Sequence, residues 1–175
     1  TGKQGCSVAH CPSSNLKLAN GFAPVSALLR QGVNVGLGTD GAASNNRLDM
    51  FEEMRLAALL AKGQSNRADE LPAYQALQMA TLNNAKALGL GDRIGSLVKG
   101  KIADITAVDF SAPELSPCYD PVSHLVYSAG REHVSHVWVD GKILVKEGKL
   151  TTLNEQEILA KALFWEDRIK INKNG

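Results

Sequence analysis

No apolar run in this sequence approaches the ~20 residues that a membrane-spanning helix needs. No excess of one charge is present either: 19 Lys and Arg stand against 18 Asp and Glu, a formal net charge of +1. That balance lacks the electrostatic footprint by which nucleic acid or an anionic membrane is held, and neither is expected as a partner. Cysteine is scarce. Cys6, Cys11 and Cys118 are odd in number and lack metal-ligand spacing, so a reduced, cytoplasmic compartment is expected rather than a disulfide framework. There is no internal repeat, no low-complexity tract and no secretory leader, and position 1 is Thr rather than Met. The biological start is therefore expected to lie elsewhere.

What is present is the composition of a globular protein, 44% hydrophobic and 21% charged, long enough for one real core. Residues 5–10, GCSVAH, read as a short buried strand ending in a polar residue. CPSSNLKLANG reads as a loop, with Pro, Ser and Asn as its turn chemistry. APVSALLRQG has Pro24 near its start and Gly32 just past its end, the asymmetry of a helix. VNVGLGTD, residues 33–40, is a second strand. Strand, loop, helix, strand is a βαβ unit with parallel strands, so the fold class is α/β.

Residues 48–62 predict a helix with Leu48, Phe51, Met54 and Leu59 on its apolar face and Glu52, Glu53 and Arg55 on a wet one. Asn45 or Asn46 is the expected cap. LPAYQALQMA is a further helix with Pro72 in its first turn; TLNNAKALGL is another, capped by Thr81 and closed by Gly89. After Gly91 the character changes. Residues 103–110 alternate as a strand, and HVSHVWVDGKILVKEGK is a hairpin around Asp140-Gly141. Residues 154–173 predict a final helix with a partly apolar face.

The 33–46 stretch poses the functional question. Gly36, Gly38 and Gly41 spell G-x-G-x-x-G, but a dinucleotide cradle opens its helix directly. Here the next helix starts late, and Asp40 sits inside the cradle, where its charge would repel phosphate. The alternative is a carboxylate at the C-terminal end of a parallel strand, the face on which α/β enzymes gather catalytic groups. A third reading, a plain turn cap at Asp40, stays open on spacing alone. His10 ends an apolar strand, where a structural histidine and a ligand both fit. Asn15 and Lys17 follow that strand end, where a pocket role competes with solvent exposure. His133 and His136 lie on a predicted strand, where a spacing of three points to opposite faces.

The segments HCPSSNLKLANGFAPV, GTDGAASNNRLDMFEEMRLA, MATLNNAKALGL and GSLVKGKIADI, in this order, resemble the metal-dependent amidohydrolase superfamily, most closely its 5-methylthioadenosine/S-adenosylhomocysteine deaminases. The resemblance implies a (β/α)8 TIM-type barrel carrying a small β-sandwich. Residues 1–91 would supply the last two β/α units, 92–150 part of the sandwich, and 151–175 a C-terminal helix. It implies hydrolytic deamination of an adenine nucleoside with a divalent metal, zinc first and iron or manganese as alternatives. Asp40 corresponds to the metal-ligand aspartate that also moves the proton. Ser44 corresponds to a residue lining the purine pocket, with His10 in the pocket wall; Asn15, from its place after the strand end, is expected as a further substrate contact.

The histidine ligands and catalytic glutamate of that family have no counterpart here, and a whole barrel needs ~250 residues. The chain is thus expected to be a C-terminal portion, inactive alone. It should pair with the missing N-terminal part of its own chain or with another copy, as a homo-oligomer, with strand 33–40 covered on both edges. The competing expectations are a relative acting on another ring (a triazine hydrolase, or a guanine or cytosine deaminase) and a non-catalytic folding or oligomerisation piece.

Overall fold

A computed structural model describes residues 5–173, with side chains described to residue 170. Residues 1–4 of the expected barrel segment and 174–175 of the expected helix lie outside it. β1 (Ser7–His10) and β2 (Asn34–Leu37) pair in parallel, Ser7 opposite Asn34 and His10 opposite Leu37. Between them run α1 (Pro12–Lys17) and α2 (Val25–Arg30). The α/β expectation thus holds. The segment read as a loop departs from it: Pro12, at the first helical position where no amide proton is needed, starts a six-residue helix.

Alternation along β2 sends Val33, Val35 and Leu37 into the core. There they meet α3 (Met50–Ser65) through Met54, Ala57, Ala58 and Ala61, and α4 (Ala73–Ala80) through Ala76 and Met79. The face that α3 buries is therefore its alanine stripe, which lets the helix approach the sheet closely. Leu48 and Leu59, expected inside, are 49% and 50% exposed. Glu53, expected in water, is fully buried. Arg55 is not wet either: its guanidinium donates to Val126 O and Ala129 O at 3.3 and 2.7 Å, holding the end of α6 (Pro121–Tyr127). The cap of α3 is Asp49, whose Oδ1 accepts from Phe51 N and Glu52 N, rather than Asn45 or Asn46.

α5 (Leu82–Ala87) ends at Gly89 as expected, with φ +72°. The Thr81 hydroxyl does not cap it but turns back to Leu77 O. Asn83 and Asn84 donate to Val35 O and Leu37 O of β2 at 2.9 and 2.8 Å. Because Gly38 N donates to His10 O, those carbonyls lie on the edge of β2 that faces away from β1. Among the described residues that edge has asparagine amides rather than the expected second strand.

α6 is absent from the sequence reading. Its signal is Asp120-Pro121: the carboxylate accepts from Val122 N and Ser123 N, and Pro121 opens the helix. Val126 joins the same core as Val35 and Met79. A separate antiparallel sheet has the order β3 (Ile105–Val108), β4 (Val134–Val139), β5 (Lys142–Lys146), β6 (Lys149–Leu150). Its first hairpin turns at Asp140 and Gly141, both left-handed, as the Asp-Gly signal predicts. Glu147-Gly148 repeats the device. His133 lies in a 3-10 turn ahead of β4, and His136 stacks on Trp138 at 5.4 Å. α7 (Glu155–Lys173) follows; its side chains are exposed throughout the described part. No helix among the described residues is long and apolar enough to cross a membrane.

Candidate functional site

The ladder of β2 stops at Leu37, and the chain continues through Gly38 and Thr39 to Asp40. Asp40 has φ +61°, a left-handed conformation that aspartate tolerates better than most residues. The helix that follows begins only at Met50, so the glycines cradle nothing at a helix start. Small residues are needed for a different reason. A Cβ at Gly36 would collide with the Asn84 side chain, and one at Gly38 would lie 3.3 Å from Cys11 Sγ.

Two serines converge on Asp40. Ser14, buried on α1, donates from Oγ to Asp40 Oδ2 at 2.7 Å; Ser44 donates to the same oxygen at 2.6 Å. These bonds, the one from Ser44 first, with a contribution from the Gly41 amide, hold the Asp40 carboxyl below the usual carboxylate range. Asp40 is exposed and ionised near neutral pH, and neither hydroxyl occupies Oδ1. Lys17 is not idle in solvent: Nζ donates to Ala43 O and Asn46 Oδ1 at 2.8 and 2.7 Å, tying α1 to the loop after Asp40.

Beneath this loop lies Glu53. Its Oε2 accepts from Ser13 N at 3.1 Å and its Oε1 from Asn45 Nδ2 at 2.6 Å. Burial pushes the Cys11 thiol up, and the Asp40 and Glu53 carboxylates push it further. Ser14, Asn45 and Glu53 all escaped the sequence reading. Only Asn45 carried a usable signal, as a small polar residue in a loop of small residues.

The four expected site residues divide into two places. Ser44 reaches Asp40. His10 does not: it faces the helices with its neighbour two back, Val8, and its register partner Leu37. It is 5% exposed, its Nδ1 has no partner, and burial holds it below its ordinary pKa. His10 and Asn15 line a cavity with Ala57 and Ala61 of α3, offering about 10 Å³ to water centres, roughly one molecule. Among the described residues no three His, Cys, Asp or Glu side chains cluster as a metal site.

The sequence profile of the Amidohydrolase family matches residues 1–144. The 5-methylthioadenosine/S-adenosylhomocysteine deaminase of Teredinibacter turnerae is 53% identical over 165 residues, 94% of this chain and 37% of the relative. The crystal structure of an adenosine deaminase from Xanthomonas campestris with bound zinc superposes with a TM-score of 0.94 at 50% identity, over 97% of this chain and 38% of that one. The atrazine chlorohydrolase of Arthrobacter aurescens TC1, complexed with zinc, gives a TM-score of 0.86 at 30% identity, over 91% and 36%. The chain thus spans a little over a third of the length of the curated relatives it matches.

Proposed function

This chain is a member of the amidohydrolase family, and from that premise we propose that it is part of a zinc-dependent hydrolytic deaminase. The substrate class is an adenine nucleoside, 5-methylthioadenosine, S-adenosylhomocysteine or adenosine, and the products are the inosine analogue and ammonia. The observation that carries the reading is Asp40, an ionised carboxylate just past the C-terminal end of a parallel strand. One of its oxygens accepts from both hydroxyls, and neither hydroxyl touches the other oxygen. The likeness to a deaminase of these nucleosides and to a zinc-bound adenosine deaminase supports it.

A carboxylate so held fits one position of a metal shell, with Oδ1 as the ligating atom. The remaining ligands belong to the longer protein. When bound, such a metal makes hydroxide available near neutral pH. Zinc suits a mixed histidine and carboxylate shell with an open position; iron and manganese are the alternatives. Asp40 would accept the proton of the attacking water on Oδ2, where a serine hydroxyl gives way, as oxygen adds to C6 of the adenine ring; the proton would then pass to the amino group as the C6–N bond breaks and ammonia leaves. Ser14 and Ser44 fix the carboxylate plane, and Ser44 stands where it can also meet the purine edge. His10 and Asn15 enter only as wall residues behind the strand end.

In this reading β1 and β2 are the last two strands of a (β/α)8 barrel, 92–150 is part of a sandwich and 151–175 is a C-terminal helix. The exposed Ile158, Leu163 and Trp165 of α7 support packing against the rest of the protein. The likeness to an atrazine chlorohydrolase favours, as second reading, a hydrolase of another ring.

The test is the absorbance change from adenosine to inosine, using the full natural chain that carries these residues. Chelator-sensitive turnover is expected, with none from residues 1–175 alone. Turnover of triazine or guanine and not of adenine nucleosides, or chelator-sensitive activity of the short chain, would contradict the proposal.

A further inference from the structure

We propose that Glu53 is a positioning residue for Asp40, acting through the two segments that carry its serine partners; this rests on the metal-ligand role of Asp40. Glu53 is fully buried in the first turn of α3, and a buried carboxylate is retained only when its oxygens are satisfied. Its two arms divide between the two segments. Oε2 takes the backbone amide of Ser13, whose neighbour Ser14 donates to Asp40. Oε1 takes the amide of Asn45, whose neighbour Ser44 donates to the same Asp40 oxygen.

Asn45 is held in that orientation. Its Oδ1 accepts from Arg47 N and Leu48 N at 3.2 and 3.3 Å, and its own backbone N donates to Gly41 O at 2.8 Å. One buried carboxylate thus fixes the spacing between Ser14 and Ser44, and with it the plane of Asp40 and the direction of Oδ1. Glu52, next in sequence, makes an ion pair with Arg47 and bonds neither Ser13 nor Asn45. A glutamine at 53 cannot replace the device. It offers one acceptor to two donors, and its amide would face one of them, so one arm must open.

The experiment is zinc affinity by chelator competition in the full natural chain, with kcat and KM for adenosine beside it. Glu53→Gln is expected to weaken zinc roughly 10- to 100-fold, the usual effect of losing an outer partner of a metal ligand. In zinc-saturated protein it should lower kcat by a larger factor than it raises KM, because Asp40 is disturbed through both serines and the purine edge through Ser44 alone. The control is Met79→Ala, in the core on α4. It is expected to lower the melting temperature while the folded protein keeps its zinc affinity.

Wild-type affinity in Glu53→Gln, or an equal loss in Met79→Ala, overturns the proposal. Should Glu53→Gln fail to fold, Asn45→Ala opens the loop-side arm alone; several-fold weaker zinc is expected, and unchanged zinc overturns it. If wild-type protein binds no zinc, or Asp40→Asn binds it normally, the deaminase reading falls and this inference with it. Normal dependence on Asp40 with indifference to Glu53 refutes the inference alone.

Discussion

The two sheets of this molecule are built by opposite rules. β2 is buried along Val35, Gly36 and Leu37, and its neighbours come from distant parts of the chain: β1, α3, α4 and the amides of α5. β4 and β5 have no fully buried residue, and their register is set by turns at Asp140-Gly141 and Glu147-Gly148. The first sheet depends on non-local packing and ends in the polar cluster around Asp40. The second depends on local turn chemistry, and no polar side chains converge on a carboxylate there. Asp40 thus stands at the end of a tightly enclosed strand.

Removing buried volume should separate the two most strongly. Met79→Ala, in the first core, is expected to cost about 2–5 kcal/mol. Val145→Ala, half-buried in β5, should cost about 1 kcal/mol. Urea unfolding measures both; equal losses would break the contrast.

Glycine substitutions sharpen it, because the two sheets need glycine for different reasons. Gly36→Ala drives a methyl into the Asn84 side chain and should cost about 1–3 kcal/mol as overpacking. Gly141→Ala meets open space but must hold φ +72°, a strain of about 1–2 kcal/mol. Asn84→Ala in the same chain should relieve the first loss and leave the second. No relief at position 36 would refute the packing argument.

A smaller effect comes from His10, buried between the first sheet and its helices. Its folded pKa lies below the ordinary 6.5. Above 6.5 both folded and unfolded chains hold it neutral and it has no effect. As pH falls below 6.5 the unfolded chain takes the proton first, and stability is lost until the folded pKa is passed. Melting temperature should therefore drop from pH 7.5 to 5.5 more in wild type than in His10→Gln. Parallel curves would contradict the burial argument.

What the sequence made legible follows the same divide. The turn at Asp140-Gly141, the ends of α2 at Pro24 and Gly32, and the apolar run of β2 are local signals, and they read correctly. Asp40 was legible as a strand-end carboxylate, while its choice over a turn cap came from the resemblance. Glu53 was not legible, because the partner that buries it, Ser13, lies 40 residues away. Ser14 was hidden in a segment whose Pro and Ser content reads as loop and folds as α1. For His10 the strand end marked a place but not a face; pairing with β2 shows its side chain turned toward the helices. α6 was there to be read, since Asp120-Pro121 is a helix start by ordinary capping chemistry.

Asp40→Asn in the full natural chain tests the central claim most directly. Asparagine keeps the shape and the two serine partners but cannot accept the proton, and it is a poorer metal ligand. Turnover of adenosine in zinc-replete protein is expected to fall by about 10³-fold or more, the middle of the 10²–10⁴ range of a general base or above it, with the melting temperature of the metal-free protein unchanged. Near-normal turnover in that variant would contradict the account.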